Sequence, residues 1–148
     1  MELPFGGTNA SDDFETGTRA AAWGGTTTII DFASQQTGEN VRTCFDDRMA
    51  LAEGNCAVDY GFHMIIGGVD DTSLKEMDIL VREGVTSFKL FMAYPGVYLS
   101  DDAQILRAMQ QCAGNGGMIM MHAENGIAID VLAEQAVERG ETAPVNHG

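Results

Sequence analysis

Apolar side chains fall into four short runs along the chain, and these runs predict buried β-strands. Each run is bounded by glycine or polar residues. The hydrophobicity within each run is nearly continuous rather than alternating, which is typical of strands covered on both faces. The predicted strands cover residues 26–32, 58–66, 87–93 and 118–122.

Around these runs, apolar residues recur three or four positions apart, which predicts amphipathic helices. The predicted helices cover residues 11–23, 40–52, 74–83, 100–113 and 127–139. Acidic residues near the helix starts and glycines after several helix ends favour these bounds. Ser11 or Asp12 is the expected N-cap of the first helix, and the last eight residues predict a loop.

The predicted strands begin roughly 30 residues apart, which is the length of a βα crossover unit and implies a parallel sheet. Two α/β architectures have this element order. One is a small doubly wound sheet that is complete in itself. The other is roughly half of a (β/α)8 TIM-type barrel, since a whole barrel needs about 250 residues. The periodicity of the sequence alone does not distinguish these two architectures.

Composition narrows the classes of partner. The 148 residues carry a formal net charge of −14, which argues against binding to nucleic acid or to an anionic membrane surface. No apolar run approaches the ~18 residues of a membrane span, and no secretory signal is visible at the N-terminus. Cys44, Cys56 and Cys112 form no CxxC pair, so free thiols in a reducing cytoplasm are expected.

Two residues of the predicted strands could carry chemistry, one inside the third strand and one at the carboxyl end of the fourth, which is the end where parallel α/β folds place their sites. Lys89 shares a strand face with Ser87 and Phe91, and a lysine in a buried strand is costly. It either extends its ammonium to water or a carboxylate, or it is a functional amine. His122 ends the fourth strand and is a candidate ligand. His63 lies in mid-strand without a polar companion and is expected to be a core or supporting residue.

Five segments in order carry a family resemblance: MELPFGG, DDFETGTRAAAWGGTTTIIDFA, DYGFHM, GVTSFKLFMAY and MHAENG. Over residues 3 to about 140 the chain resembles dihydropyrimidinases and hydantoinases, the cyclic-amide branch of the amidohydrolase superfamily. The resemblance implies a metal-dependent β/α barrel that hydrolyses an amide bond of a dihydropyrimidine or hydantoin ring. Residues 1–148 would then be part of one catalytic barrel domain.

The resemblance also implies roles for individual residues. Lys89 matches the lysine that CO₂ carboxylates, whose carbamate bridges two zinc ions, and His122 matches a metal-binding histidine. Tyr94 matches the tyrosine that hydrogen-bonds the oxyanion of the tetrahedral intermediate. Three further positions match those that shape the pocket for the ring substituent: Leu3, Phe5 and Phe91.

The chain departs from the family pattern in three respects. The family's His-x-His metal pair stands before the segment matched by residues 1–5, and a further metal histidine and the aspartate base lie beyond Gly148. Pro95 also replaces a lysine. Residues 1–148 alone are therefore expected to bind zinc weakly and not to hydrolyse the ring.

The resemblance further implies a small cyclic ureide or amide as substrate and a homotetramer or other homo-oligomer as the assembly. Two other classes of function stay open. One is a non-catalytic dihydropyrimidinase-like scaffold. The other is a self-contained doubly wound domain that binds a small molecule.

Overall fold

The computed structural model describes residues 1–5 and 7–147, with the backbone alone for Pro4, Phe5 and His147. The strands are β1 (Pro4–Phe5), β2 (Thr8–Asn9), β3 (Thr28–Gln35), β4 (Asp59–Ile66), β5 (Ser87–Phe91) and β6 (Met118–His122). The helices are α1 (Phe14–Trp23), α2 (Val41–Ala52), α3 (Asp71–Arg82), α4 (Asp102–Asn115) and α5 (Gly126–Glu138), followed by a short 3-10 helix (Pro144–His147).

Strands β3 to β6 form one parallel sheet in which spatial order follows chain order, β3-β4-β5-β6. A doubly wound sheet reverses its strand order at a switch point, whereas a β/α barrel adds each strand beside the previous one. The described sheet has the barrel order, so the expectation of roughly half a TIM-type barrel is confirmed and the doubly wound alternative is excluded. The short strands β1 and β2 pair separately as an antiparallel hairpin that the sequence pattern did not predict.

The four long strands lie where the apolar runs predicted them, with shifted ends. Strand β6 has the predicted bounds, and β4 starts one residue later than predicted. Strand β3 continues to Gln35 because all eight of its residues pair with β4. Strand β5 stops at Phe91 instead of residue 93, because the chain then turns out of the sheet.

Helix starts differ from the prediction by up to three residues because neighbouring acidic residues compete as caps. Asp13, and neither Ser11 nor Asp12, caps α1 through a reciprocal capping box with Thr16. The hydrogen bond from the Thr16 amide lowers the pKa of Asp13 below its ordinary value. Asp70 caps α3 in the same way, so that helix begins at residue 71 rather than 74. The C-terminal segment forms a 3-10 turn instead of a loop.

The hydrophobic core lies on one face of the sheet, beneath α1 to α4. Met64, Ile66, Phe88 and Leu90 point to this face and are completely buried among apolar side chains of the four helices. Burial of this kind supplies most of the driving force for folding. The predicted alternation along β5 is confirmed, with Phe88 and Leu90 on the helix-covered face and Lys89 on the other.

The opposite face, here called the inner face, carries no helix within the described residues. Ile30 near the start of β3 is 59% exposed, and Met118 at the start of β6 is 57% exposed. Side chains nearer the middle are covered better, since Ile65, Ser87 and Phe91 are buried. In a barrel this face points to the interior.

A buried ion pair links β3 to α2 beside the core. Arg48 Nη2 lies 2.6 Å from a carboxylate oxygen of Asp31, and both side chains are at least nine-tenths buried. The Arg48 guanidinium also stacks 4.6 Å over the Phe14 ring. Burial opposes ionisation of Asp31, whereas hydrogen bonds from the Phe32 amide and from Arg48 lower its pKa.

Helix α5 differs from the other helices in its packing. Its only buried residue is Gly126, while Ile127, Leu132 and Val137 are each more than 60% exposed. Within residues 1–5 and 7–147, no helix combines the length and the apolarity that crossing a membrane requires.

Candidate active site

Four of the six predicted site residues lie along or just after β5 and β6: Lys89, Phe91, Tyr94 and His122. Phe91 pairs with His122 across the two strands, and Lys89 pairs with Met120 two positions earlier. Because side chains alternate along a strand, Lys89, Phe91 and His122 project from the same face. The expectation that these strand ends share one site is consistent with this geometry.

Lys89 lies half-buried between aromatic rings. Its Nζ is 4.8 Å from the centre of the Phe91 ring and 5.2 Å from that of Phe32, within the range of cation–π attraction. Among the ion pairs of the described residues, none includes Lys89. No carboxylate among the described residues therefore offsets the cost of partly burying this amine.

Four side chains after and beside β5 form an aromatic cluster, defined as Phe91, Tyr94, Tyr98 and His122. Phe91 is its centre, stacked on Tyr98 with ring centres 5.0 Å apart and on His122 at 5.5 Å. Tyr94 packs obliquely against both, 5.7 Å from Phe91 and 5.2 Å from His122. Such contacts restrict the rings to few orientations, which a site of defined geometry requires.

Tyr94 stands on an unusual backbone. Its φ is +62°, in the left-handed region, which costs a residue with a side chain about 1–3 kcal/mol. Its carbonyl accepts hydrogen bonds from the amides of Val97, Tyr98 and Leu99, at 3.0, 3.0 and 3.2 Å. Three hydrogen bonds to this one carbonyl thus hold residues 94–99 in a turn, here called the Tyr94 turn. The Tyr94 side chain is 48% exposed.

The segment just before this turn is clamped between β6 and α5. The amide of Met92 donates to the His122 carbonyl at 2.8 Å, and the amide of Gly126 donates to the Met92 carbonyl at 3.0 Å. Gly126 approaches so closely that a Cβ there would lie 2.7 Å from the Cα of Ala93. The sequence HAENG therefore contributes a contact glycine as well as its histidine.

The hydroxyl of Tyr98 reaches the end of β3. It accepts a hydrogen bond from the Gln36 side-chain amide and shares another with Ser34 Oγ at 3.1 Å. Sequence reasoning missed Tyr98 and both of its partners. A tyrosine in a turn carries no periodic signal, and its partners lie more than 60 residues earlier.

His63 has a polar companion, contrary to the expectation from sequence. Its Nδ1 hydrogen-bonds the hydroxyl of Ser87 on the neighbouring strand, and its ring lies 5.1 Å from that of Phe32. The bond crosses strands, so the residues next to His63 in sequence gave no sign of it. His63 therefore supports the inner face below Lys89, since Ser87 is two residues before that lysine.

The donor atoms for a metal are few in the part of the chain that the structure describes. No group of three or more histidine, cysteine, aspartate or glutamate side chains is close enough there to hold an ion. Nε2 of His122 contacts a carboxylate oxygen of Glu124. An ammonium cannot ligate a metal, but a carbamate formed on Lys89 would present two oxygens. The residues present thus fit part of a metal site.

Two predicted pocket residues, Leu3 and Phe5, belong to the N-terminal segment before α1. The Leu3 carbonyl accepts the amide of Ala10 at 3.0 Å within the β1–β2 hairpin, and the Glu2 amide bonds the Asp12 carbonyl before α1. The hydrogen bonds of this segment therefore run to the hairpin and the start of α1. The side chain of Phe5 lies outside the described residues.

This geometry defines a class of protein: a partial β/α barrel whose candidate site lies at the carboxyl edge of the sheet. A D-hydantoinase of Streptomyces coelicolor is 72% identical over 148 residues, covering 100% of this chain and 32% of the relative. Rat dihydropyrimidinase is 39% identical over 99% of this chain and 28% of the relative.

Comparison with solved structures gives the same kind of relative. A D-hydantoinase crystal structure superimposes with a TM-score of 0.93 at 42% identity, over 99% of this chain and 32% of that one. No protein-family model matches the sequence. The chain belongs to the D-hydantoinase and dihydropyrimidinase family, and it spans about a third of the length of the curated relatives it matches.

Proposed function

We propose that these residues form part of the catalytic barrel domain of a metal-dependent hydrolase that opens cyclic amide rings of the hydantoin or dihydropyrimidine type. The observation that carries the proposal is that the Lys89 amine lies over the Phe91 ring, while His122 stacks on that ring and Tyr94 packs against His122. The names of the relatives, D-hydantoinase and dihydropyrimidinase, supply the substrate class.

Lys89, carboxylated by CO₂, and His122 are the residues that would hold the metal, which we propose to be a pair of zinc ions. A bound metal of this kind acts as a Lewis acid and makes water acidic enough to attack at neutral pH. The remaining ligands and the general base would come from parts of the polypeptide outside these 148 residues. A carbamate also changes the charge beside Phe32 and Phe91 from positive to negative.

Ring opening adds one water across an amide bond. The new bond joins the water oxygen to the ring carbonyl carbon, the bond from that carbon to the ring nitrogen breaks, and the nitrogen receives a proton. Tyr94 would donate its phenolic hydrogen to the oxyanion that develops on the carbonyl oxygen, which is the largest single contribution in many acyl transfers. Its exposed side chain is free to do so.

The pocket for the ring substituent would be apolar. Phe91, at the centre of the aromatic cluster, would form one wall, and Leu3 and Phe5 would close it from the N-terminal segment. We propose a homotetramer or other homo-oligomer in the cytoplasm. The three free thiols and the strongly acidic chain are compatible with that compartment.

The test uses the full polypeptide that carries this segment, assayed with hydantoin and dihydrouracil and analysed for bound metal after gel filtration. Lys89→Ala should lose both metal and activity, and short carboxylic acids should restore part of the activity by replacing the carbamate oxygens. Tyr94→Phe should keep its metal and lose about 10²- to 10³-fold in kcat, the usual effect of removing an oxyanion donor.

The matched control is Tyr60→Phe, because Tyr60 packs near Phe62 toward the helix-covered face of the sheet. This variant should keep the metal content and the ring-opening activity of the parent polypeptide. Unchanged metal content in Lys89→Ala would contradict the proposed role of that residue. A metal-free parent without activity would favour a non-catalytic scaffold instead.

A further inference from the structure

Tyr98 connects the Tyr94 turn to a strand two places away in the sheet. Its ring lies nearly parallel to that of Phe91, with an interplanar angle of 23°. Its hydroxyl takes a hydrogen from the Gln36 side-chain amide and can therefore give its own hydrogen to Ser34 Oγ. One side chain thus spans from the loop after β5, across β4, to the end of β3.

The end of β3, to which Tyr98 is anchored, is closely packed. Gln35, between the two partners of Tyr98, is 3% exposed, and its side-chain oxygen accepts the amides of Gly67 and Gly68 after β4. The backbones are in close contact there, since a Cβ on Gly67 would lie 2.4 Å from the Gln35 carbonyl oxygen. The two atoms that hold the Tyr98 hydroxyl are therefore attached to a well-fixed segment.

The other end of the connection is Tyr94 itself. The Tyr98 amide donates to the Tyr94 carbonyl at 3.0 Å, so a displacement of Tyr98 shifts the backbone of Tyr94 or breaks this bond. A left-handed backbone at a residue with a side chain persists only where its surroundings hold it. In this turn, the hydroxyl of Tyr98 is one group that ties the turn to the rest of the sheet by side-chain hydrogen bonds.

We propose that Tyr98 is a positioning residue: its hydroxyl, held by Ser34 and Gln36, fixes the Tyr94 turn so that the Tyr94 phenol keeps one direction beside His122. Tyr98 acts through Tyr94 and needs no contact with the substrate for this role. The catalytic consequence rests on the proposed function, whereas the tether concerns only the contacts of Tyr98 with Ser34, Gln36 and Tyr94.

The first test measures the tether without any activity. Tyr98→Phe keeps the ring stacked on Phe91 and removes the hydroxyl. In the full polypeptide, hydrogen exchange at the amides of residues 97–99 should become about tenfold faster, which corresponds to the loss of one or two ordinary hydrogen bonds. The control Tyr60→Phe also removes a hydroxyl, and it should leave these amides unchanged. Equal exchange in both variants would overturn the tether.

The second test asks whether the effect passes through Tyr94. Tyr98→Phe should lower kcat for ring opening about tenfold with little change in KM, because only a group that acts in the transition state is displaced. In a Tyr94→Phe background the same substitution should cost almost nothing, since the residue it positions no longer donates. A full additional loss in the double variant, or a change in KM alone, would refute positioning.

The two readouts separate this inference from the proposed function. If the parent polypeptide opens no ring, the proposed function fails, while the exchange measurement still decides the tether. If Tyr98→Phe does not fold, the double variant Ser34→Ala/Gln36→Ala removes the same bonds from the other end. Faster exchange at residues 97–99 in that variant supports the tether, and unchanged exchange overturns it.

Discussion

Gly126→Ala tests how closely the site is packed beneath the Tyr94 turn. The added methyl would lie 2.7 Å from the Cα of Ala93, 3.1 Å from the Met92 carbonyl oxygen and 3.2 Å from the carbonyl carbon of Ala93. The first distance is about 0.8 Å short of the roughly 3.5 Å at which two carbons pack well. All three atoms are backbone, so no side chain can rotate away. Either α5 or the segment before Tyr94 must shift.

The expected cost follows from that shift. Overpacking a close contact typically costs about 1–3 kcal/mol. The hydrogen bond from the Gly126 amide to Met92, at 3.0 Å, is weakened as well, and such bonds contribute about 1 kcal/mol. We therefore expect the free energy of unfolding to fall by about 2–3 kcal/mol. Because residue 93 precedes Tyr94, kcat should also fall.

The assay is equilibrium unfolding in urea of the full polypeptide, with Gly114→Ala as the matched control. Gly114 lies in α4, has no atom within 4 Å of its ideal Cβ position, and has ordinary helical backbone angles. Alanine there should stabilise by about 0.5–1 kcal/mol through reduced backbone entropy of the unfolded chain. If Gly126→Ala unfolds at the same urea concentration as Gly114→Ala, the close packing is refuted.

Two further predictions concern the core. Asp31→Asn should lower the free energy of unfolding by about 3 kcal/mol near pH 7, because it leaves the buried Arg48 without a charged partner. Since the pKa of Asp31 is lowered on folding, its contribution is complete above the ordinary value near 3.8 and is lost as the pH falls through the folded value. Unfolding of the variant should therefore depend less on pH below about 4, and an identical pH profile would contradict the ion pair. Phe88→Ala should cost about 3–5 kcal/mol because Phe88 is completely buried, whereas Ile30→Ala, at a residue 59% exposed, should cost much less. Similar losses in both would show that the core lies elsewhere.

The sequence predicted local structure better than it predicted long-range arrangement. Strand β6 has its predicted bounds because Met118 and His122 are delimited by glycine on one side and a polar turn on the other. The choice between barrel and doubly wound sheet depends on which strands pair, and both folds have the same βα period. The order of the strands in the sheet distinguishes the two folds, because it shows which strands are neighbours and the βα period does not.

The same limit applies to the candidate site. Lys89 could be located from sequence because it is a charged residue inside an apolar strand, and His122 because it ends a recognisable strand. The Ser87 partner of His63 and the tether from Tyr98 could not, because both are contacts between distant parts of the chain. The expected caps of α1, Ser11 and Asp12, were wrong because it is the spacing from Asp13 to Thr16 that completes the capping box.

The most direct measurement is a crystal structure of the full polypeptide grown with zinc and bicarbonate, with anomalous data collected at the zinc edge. We expect anomalous peaks next to Lys89 and His122. We also expect continuous density for a carboxylate on Lys89 Nζ and a histidine nitrogen about 2.0–2.1 Å from a metal. An unmodified Lys89 amine between Phe32 and Phe91, with zinc bound elsewhere or not at all, would contradict the proposed metal site.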